Sequence, residues 1–172
     1  MYRFLTILPF FILFLATGWG FLYTNYVKVD QRIIDAFKNK RSDELRSIVL
    51  NREFNWFQRT SAIEKYAQLG CYAEDSFIRM VLGSPDTSLR RGVLAGCLTH
   101  SPKIVEWLIP LGLRDAYSFN RYQTLYSLRR DADYLRFEDM VRRLAEDSSS
   151  MVSNEANELL KMIDQSRKNI GQ

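Results

Sequence analysis

Histidine is close to absent from this chain. His100 stands alone in 172 residues, and cysteine occurs only at Cys71 and Cys97. One imidazole and two distant thiols do not make a zinc site, and there is no C-x-x-C redox pair. A histidine-dependent catalytic triad has no local support either. No glycine-rich phosphate loop or dinucleotide fingerprint occurs. With eight glycines, four prolines and few alternating Val/Ile/Thr runs, an all-β fold is disfavoured. An excess of charge is missing as well: the net is +4, and Arg3 carries the one side-chain charge before Thr24. That balance is too mild to argue for nucleic acid. The acidic pairs Glu74-Asp75, Glu138-Asp139 and Glu146-Asp147 read as solvated helix faces and helix starts. No catalytic residue, cofactor or metal is therefore expected.

What is present begins with Arg3 to Tyr23, RFLTILPFFILFLATGWGFLY, which has no charge after its first residue. At about 1.5 Å rise per residue, such a run is long enough to cross a hydrocarbon core of about 30 Å. Trp19, Tyr23 and Tyr26 fall where an interfacial aromatic belt would lie. The competing reading is a cleaved signal, because Ala16-Thr17-Gly18 offers small residues at a peptidase-like spacing. The apolar run continues past that point through Phe21 and Leu22, so residues 1–27 are read as an uncleaved transmembrane anchor. The following flank, with Lys28, Arg32, Lys38, Lys40 and Arg41 against Asp30 and Asp35, would by charge count keep the domain in the cytoplasm. The usual bacterial N-terminal anchor leaves its domain outside, and the cysteines fit an oxidising compartment. The expectation is a single-pass inner-membrane protein with a periplasmic domain.

From residue 28 helix signals recur throughout. Gln31 to Lys38 follows Asp30, and Ser42-Asp43-Glu44 opens a second helix. Asn55 to Leu69 stops at Gly70, read as a C′ glycine, and Ala73 to Leu82 stops at Gly83. Ser84-Pro85-Asp86 opens Thr87 to Leu98; Ser101-Pro102 opens a helix ending near Gly112. Ser118 to Arg129, Tyr134 to Glu146 and Val152 to Arg167 complete about nine helices, with residues 168–172 as a frayed tail.

A register links them. Arg59, Arg90 and Arg121 are 31 residues apart, and offsets +3, +4 and +7 bring Ala62, Ile63 and Tyr66, then Val93, Leu94 and Cys97, then Thr124, Leu125 and Leu128. Those offsets share one helix side. A fourth copy, slipped by one residue, is read at Ser153, Ala156 and Leu160. Each register helix follows a shorter apolar helix, as a stack of hairpins requires. The stretch SPDTSLRRGVLAGC, Ser84 to Cys97, resembles the turn and second helix of a HEAT-type repeat. The resemblance covers about residues 42 to 165. It implies an all-α fold, a small HEAT-like α-solenoid of about four hairpins over residues 28–167. It also implies an acid–arginine ladder between repeats, with Asp86 and Arg90 matching by type and Glu53–Arg59 and Asp115–Arg121 loosely. An irregular helical bundle is the alternative architecture.

The resemblance implies a protein-binding scaffold working through its second helices. Arg59, Arg90 and Arg121, with Arg91, Arg129 and Arg130 added, can form a basic stripe for an acidic partner, or the register arginines can simply satisfy helix ends and neighbouring acids. Tyr122 and Tyr126 are four apart and can share a face with Arg129, the residue types of binding hot spots. Cys71 and Cys97 lie at the ends of two parallel register helices, where either a disulfide or two buried thiols would fit. The functional expectation is an adaptor or accessory subunit binding a protein at or in the membrane. The alternatives are an immunity or inhibitor protein that neutralises a toxin, and an enzyme with a site between helices.

Overall fold

The computed structural model describes residues 28–100, 105–129 and 132–170. The apolar segment Arg3 to Tyr23 and the Ser101-Pro102 start signal lie outside the described residues. Among the described residues there is no strand, and no helix is long and apolar enough to cross a membrane.

Helix α1 (Lys28–Lys38) packs on the first of four hairpins. The hairpins are α2 (Ser42–Leu50) with α3 (Trp56–Leu69), α4 (Ser76–Leu82) with α5 (Thr87–Cys97), α6 (Ile109–Leu113) with α7 (Ser118–Arg129), and α8 (Glu138–Leu144) with α9 (Ser150–Ile170). A 3-10 helix, Ala132–Phe137, leads into α8. The longer members stack in order, α3 on α5, α5 on α7 and α7 on α9.

Helix starts follow their local chemistry. Asn55 caps α3 in a full capping box with Gln58, which explains why that polar residue is buried. Asp75 caps α4 through the amides of Phe77 and Ile78, and Asp86 caps α5 through Ser88 and Leu89. Ser42 is already the first helical residue of α2, whose cap position is Arg41 with no side-chain bond. The helix stops depart from expectation. Gly70 has φ 176° and Gly83 has φ −80°, so neither is a left-handed C′ glycine. The left-handed residue is Lys40, φ 52°, with Arg41 N–H donating to the Ala36 carbonyl and Lys40 N–H to that of Phe37. This is a Schellman end built without glycine.

Two further helices differ from their sequence reading. A helix running to Gly112 needs an amide at position 110, and Pro110 has none; residues 106–108 form turns, and α6 starts at Ile109. The stretch from Tyr134 to Glu146 divides into the 3-10 helix and α8. The last helix runs to Ile170, so Lys168 is helical rather than frayed.

The core has two parts. The first is built from α1 to α5 with Val105 and Leu108, the second from α6 to α9, and half-buried Leu98 packs against both. Register offsets +3 and +4 are buried in all three helices: Ala62 and Ile63, Val93 and Leu94, Thr124 and Leu125. The fourth copy is not slipped. Glu155, Ala156 and Leu159 are the buried residues at offsets +3, +4 and +7 from Val152, which is itself buried and 31 residues after Arg121. The fourth copy thus keeps the 31-residue spacing, with Val152 at the arginine position.

Helices α3 and α5 approach closely, and glycine makes it possible. A Cβ on Gly96 would stand 2.3 Å from the Glu64 carbonyl oxygen and 2.7 Å from the Ala67 Cβ. A Cβ on Gly92 would meet Ile63 at 2.5 Å and the Thr60 carbonyl at 2.8 Å. Gly96→Ala therefore forces the helices apart. Alanine gains about 1 kcal/mol in helix propensity, but overpacking a close interface costs about 1–3 kcal/mol. The expected net result is a lower melting temperature in a circular-dichroism melt; an unchanged or higher one would contradict this packing.

Candidate protein-binding surface

The register arginines form a ladder between hairpins. Arg59 reaches Asp86 at 3.8 Å, Arg90 reaches Asp115 at 2.8 Å, and Arg121 reaches Asp147 at 2.7 Å. Each guanidinium also donates to a carbonyl ahead of its own helix: Arg59 to Val49, Arg90 to Ser84, and Arg121 to Asp115. The partner acid is thus always that of the next hairpin, the between-repeat arrangement that the resemblance implies. Glu53 is engaged instead with the Asn51 side chain. The acids have a second task. Asp86, Asp115 and Asp147 accept amides of Ser88, Tyr117 and Ser149, so each rung also fixes a turn or helix start.

The inner rungs are buried. Side-chain exposure is 12% and 6% for Arg90 and Asp115, and 14% and 8% for Arg121 and Asp147. Burial disfavours the charged form of Asp115, yet bonds from Arg90 and the Tyr117 amide outweigh it and hold the carboxyl below its usual range. The Arg121 bonds do the same for Asp147. Arg90 and Arg121 are therefore occupied within the fold, as the structural alternative for the register arginines has it. The reason is geometric: the offset that faces a helix register inward also faces its arginine toward the next hairpin.

The other four residues singled out by sequence do come together. Along α7 the rings of Tyr117, Phe119, Tyr122 and Tyr126 follow one another at centroid distances of 6.3, 6.1 and 6.2 Å. Arg91, from α5, lies over Phe119 at 6.0 Å, and Arg129 lies over Tyr126 at 5.1 Å. Arg129 also forms an ion pair with Glu155 at 3.2 Å, without the alignment of a hydrogen bond. Tyr117 and Tyr126 are exposed by 43% and 44%, while Tyr122 is half-buried against the second core. Phe119, which links Tyr117 to Tyr122, is the residue a four-residue spacing argument passes over. Phe57, also exposed, holds on α3 the register position that Phe119 holds on α7, two residues before the ladder arginine.

Cys71 and Cys97 are joined by a disulfide, Cα–Cα 5.3 Å, with both residues fully buried. The bond ties the segment after α3 to the end of α5. His100 adds to the same junction, its Nε2 donating to the Ala67 carbonyl at 3.0 Å. Elsewhere a cleft of about 510 Å³ opens between the second and third hairpins, lined by Arg79, Leu82, Arg90, Leu94, Leu111 and Arg114 among others. Asp115 also lines it, ionised and already bonded to Arg90. Among the described residues no group of His, Cys, Asp and Glu is arranged to hold a metal ion.

The fold and surface define a class of all-α proteins, a stack of helical hairpins joined by an arginine–aspartate ladder. Compared with protein-family models, curated proteins and solved structures, the chain matches none.

Proposed function

We propose that the chain is a HEAT-like α-solenoid, held at the inner membrane by its N-terminal apolar segment, that serves as an adaptor or accessory subunit of a membrane protein complex. The observation carrying this reading is the aromatic row of α7, exposed at Tyr117 and Tyr126, with Arg91 over Phe119 and Arg129 over Tyr126. Stacked rings are rigid before a partner arrives, so binding orders few rotamers, and Tyr with Arg is the composition of interface hot spots. The 31-residue register and the ladder between hairpins support the solenoid. An apolar anchor would confine the domain to two dimensions and raise the effective concentration of a membrane partner. The periplasmic side is favoured by the buried disulfide.

The test is affinity capture of the full-length protein from detergent-solubilised membranes, beside Tyr126→Ala and Arg129→Ala. Loss of a hot-spot tyrosine costs about 2 kcal/mol or more, roughly a thirtyfold weaker Kd. A defined membrane complex that is lost with these variants supports the proposal. Recovery of one soluble protein would favour the inhibitor reading, and capture indifferent to both substitutions would remove this surface from the account.

A further inference from the structure

The cleft between the second and third hairpins is chemically unlike the aromatic row. Its floor is aliphatic: Leu94 is fully buried, Leu82 half-buried, and Leu111 is 47% exposed. Its charged groups fall into two sets. Arg90 and Asp115 face each other in a bidentate pair and cancel. Arg79 and Arg114 are exposed, and among the described residues neither forms an ion pair. Arg79 is nevertheless fixed in place: its Nε donates to the Ala73 carbonyl and its guanidinium lies 5.4 Å over the Trp107 ring. Trp107 is itself half-buried against the first core. The terminal nitrogens of Arg79 are thus held by a stacked, pre-ordered guanidinium with donors to spare. Arg114 ends α6 and comes from the neighbouring hairpin.

We propose that this cleft receives an acidic–aliphatic segment of a protein partner. An aliphatic side chain lies on Leu82, Leu94 and Leu111, and flanking carboxylates pair with Arg79 and Arg114. Charge complementarity sets the sign, because the lining carries two uncompensated cations once Arg90 and Asp115 cancel. Size sets the scale, because about 510 Å³ falls in the range of sites that hold a few side chains rather than a folded domain. Guanidinium geometry sets the acceptor, since its fork matches a carboxylate in bidentate fashion. The choice of a protein over an anionic lipid rests on the scaffold reading above. The cleft and the aromatic row are separate surfaces, so one partner gripping both gains by linkage.

The experiment is photocrosslinking in cells with the full-length protein carrying p-benzoylphenylalanine at position 111, and in parallel at position 126. Adducts are mapped by mass spectrometry in the wild-type background and with Arg114→Gln or Arg114→Lys. Arg114 is exposed and outside both cores, so a melt of each variant separates charge from folding. The expected result is a position-111 adduct on a protein segment with Asp or Glu beside Leu, Ile or Val. Its yield should fall at least fivefold with Arg114→Gln and stay near wild type with Arg114→Lys. An adduct on lipid alone, on a segment without acids, or at a yield indifferent to Arg114 overturns the inference. If position 126 captures a partner and position 111 does not, the cleft fails while the scaffold reading stands. If neither does, both fall.

Discussion

Replacing Cys71 and Cys97 together by alanine lowers the melting temperature by roughly 10 °C. The disulfide spans 26 residues of sequence. Closing a loop of that length removes denatured-state entropy equivalent to about 3.5 kcal/mol in the chain-entropy model. For a domain near 150 residues each kcal/mol moves the midpoint by about 3 °C, which gives the stated shift. The bond acts on a closely packed pair, α3 and α5, which touch at Gly92 and Gly96. Alanine is chosen because both sites are fully buried, and a serine hydroxyl there would add a desolvation cost of its own. The measurement is a pair of thermal melts, of the double variant and of wild type with and without reductant, with thiol titration to confirm the state of the bond. Because the sulfurs are buried, reduction under native conditions is expected to be slow and to accelerate when the domain opens. Coincident melts of oxidised and reduced protein would show that the bond contributes nothing.

Asp115→Ala is expected to destabilise the domain by about 3–5 kcal/mol, because it leaves Arg90 as an unpaired charge in a mostly buried position. Asp86→Ala is the informative comparison. Its rung with Arg59 is 3.8 Å long and partly exposed, so losing the pair costs at most about 1 kcal/mol. Removing its helix cap adds about 1 kcal/mol more. Urea denaturation of the two variants should therefore rank Asp115→Ala well below Asp86→Ala; equal effects would mean that the inner rungs are no stronger than the outer one. The same rungs set the acid behaviour. Asp115 and Asp147 titrate lower in the folded chain than the usual value of about 3.9, so the folded state binds fewer protons there than the unfolded state. Their stabilisation is complete above that value and is lost as pH falls through the depressed range. Melting temperature should drop steeply below about pH 4, and less steeply in the Asp115→Ala protein.

Much of the organisation was legible because it is local. Helix starts at Asn55 and Asp86 depend on side chains within three residues of the amides they serve. The 31-residue register is visible because buried offsets +3 and +4 recur in apolar or small residues. Pro110 was equally local and was passed over, although a proline in a helix interior removes a bond whatever surrounds it. The fourth hairpin shows the opposite case. Val152 carries no guanidinium, and the buried Val152 and Leu159 place the fourth copy one residue before the Ser153 and Leu160 read from the sequence.

The sequence by itself determined helix content, the hairpin order and the residues that pair or stack along one helix, since these are set by neighbours a few positions away. Only the tertiary structure decided which acid each arginine meets, that Gly92 and Gly96 are points of helix contact, and that the two cysteines form one bond. It also decided that Arg90 and Arg121 serve the fold while Arg91, Tyr126 and Arg129 remain at the surface. The physical reason is that a helix side is fixed by the chain's own period, but what faces that side is fixed by the rotation and distance between stacked helices. Those depend on how closely all the buried residues let the hairpins approach.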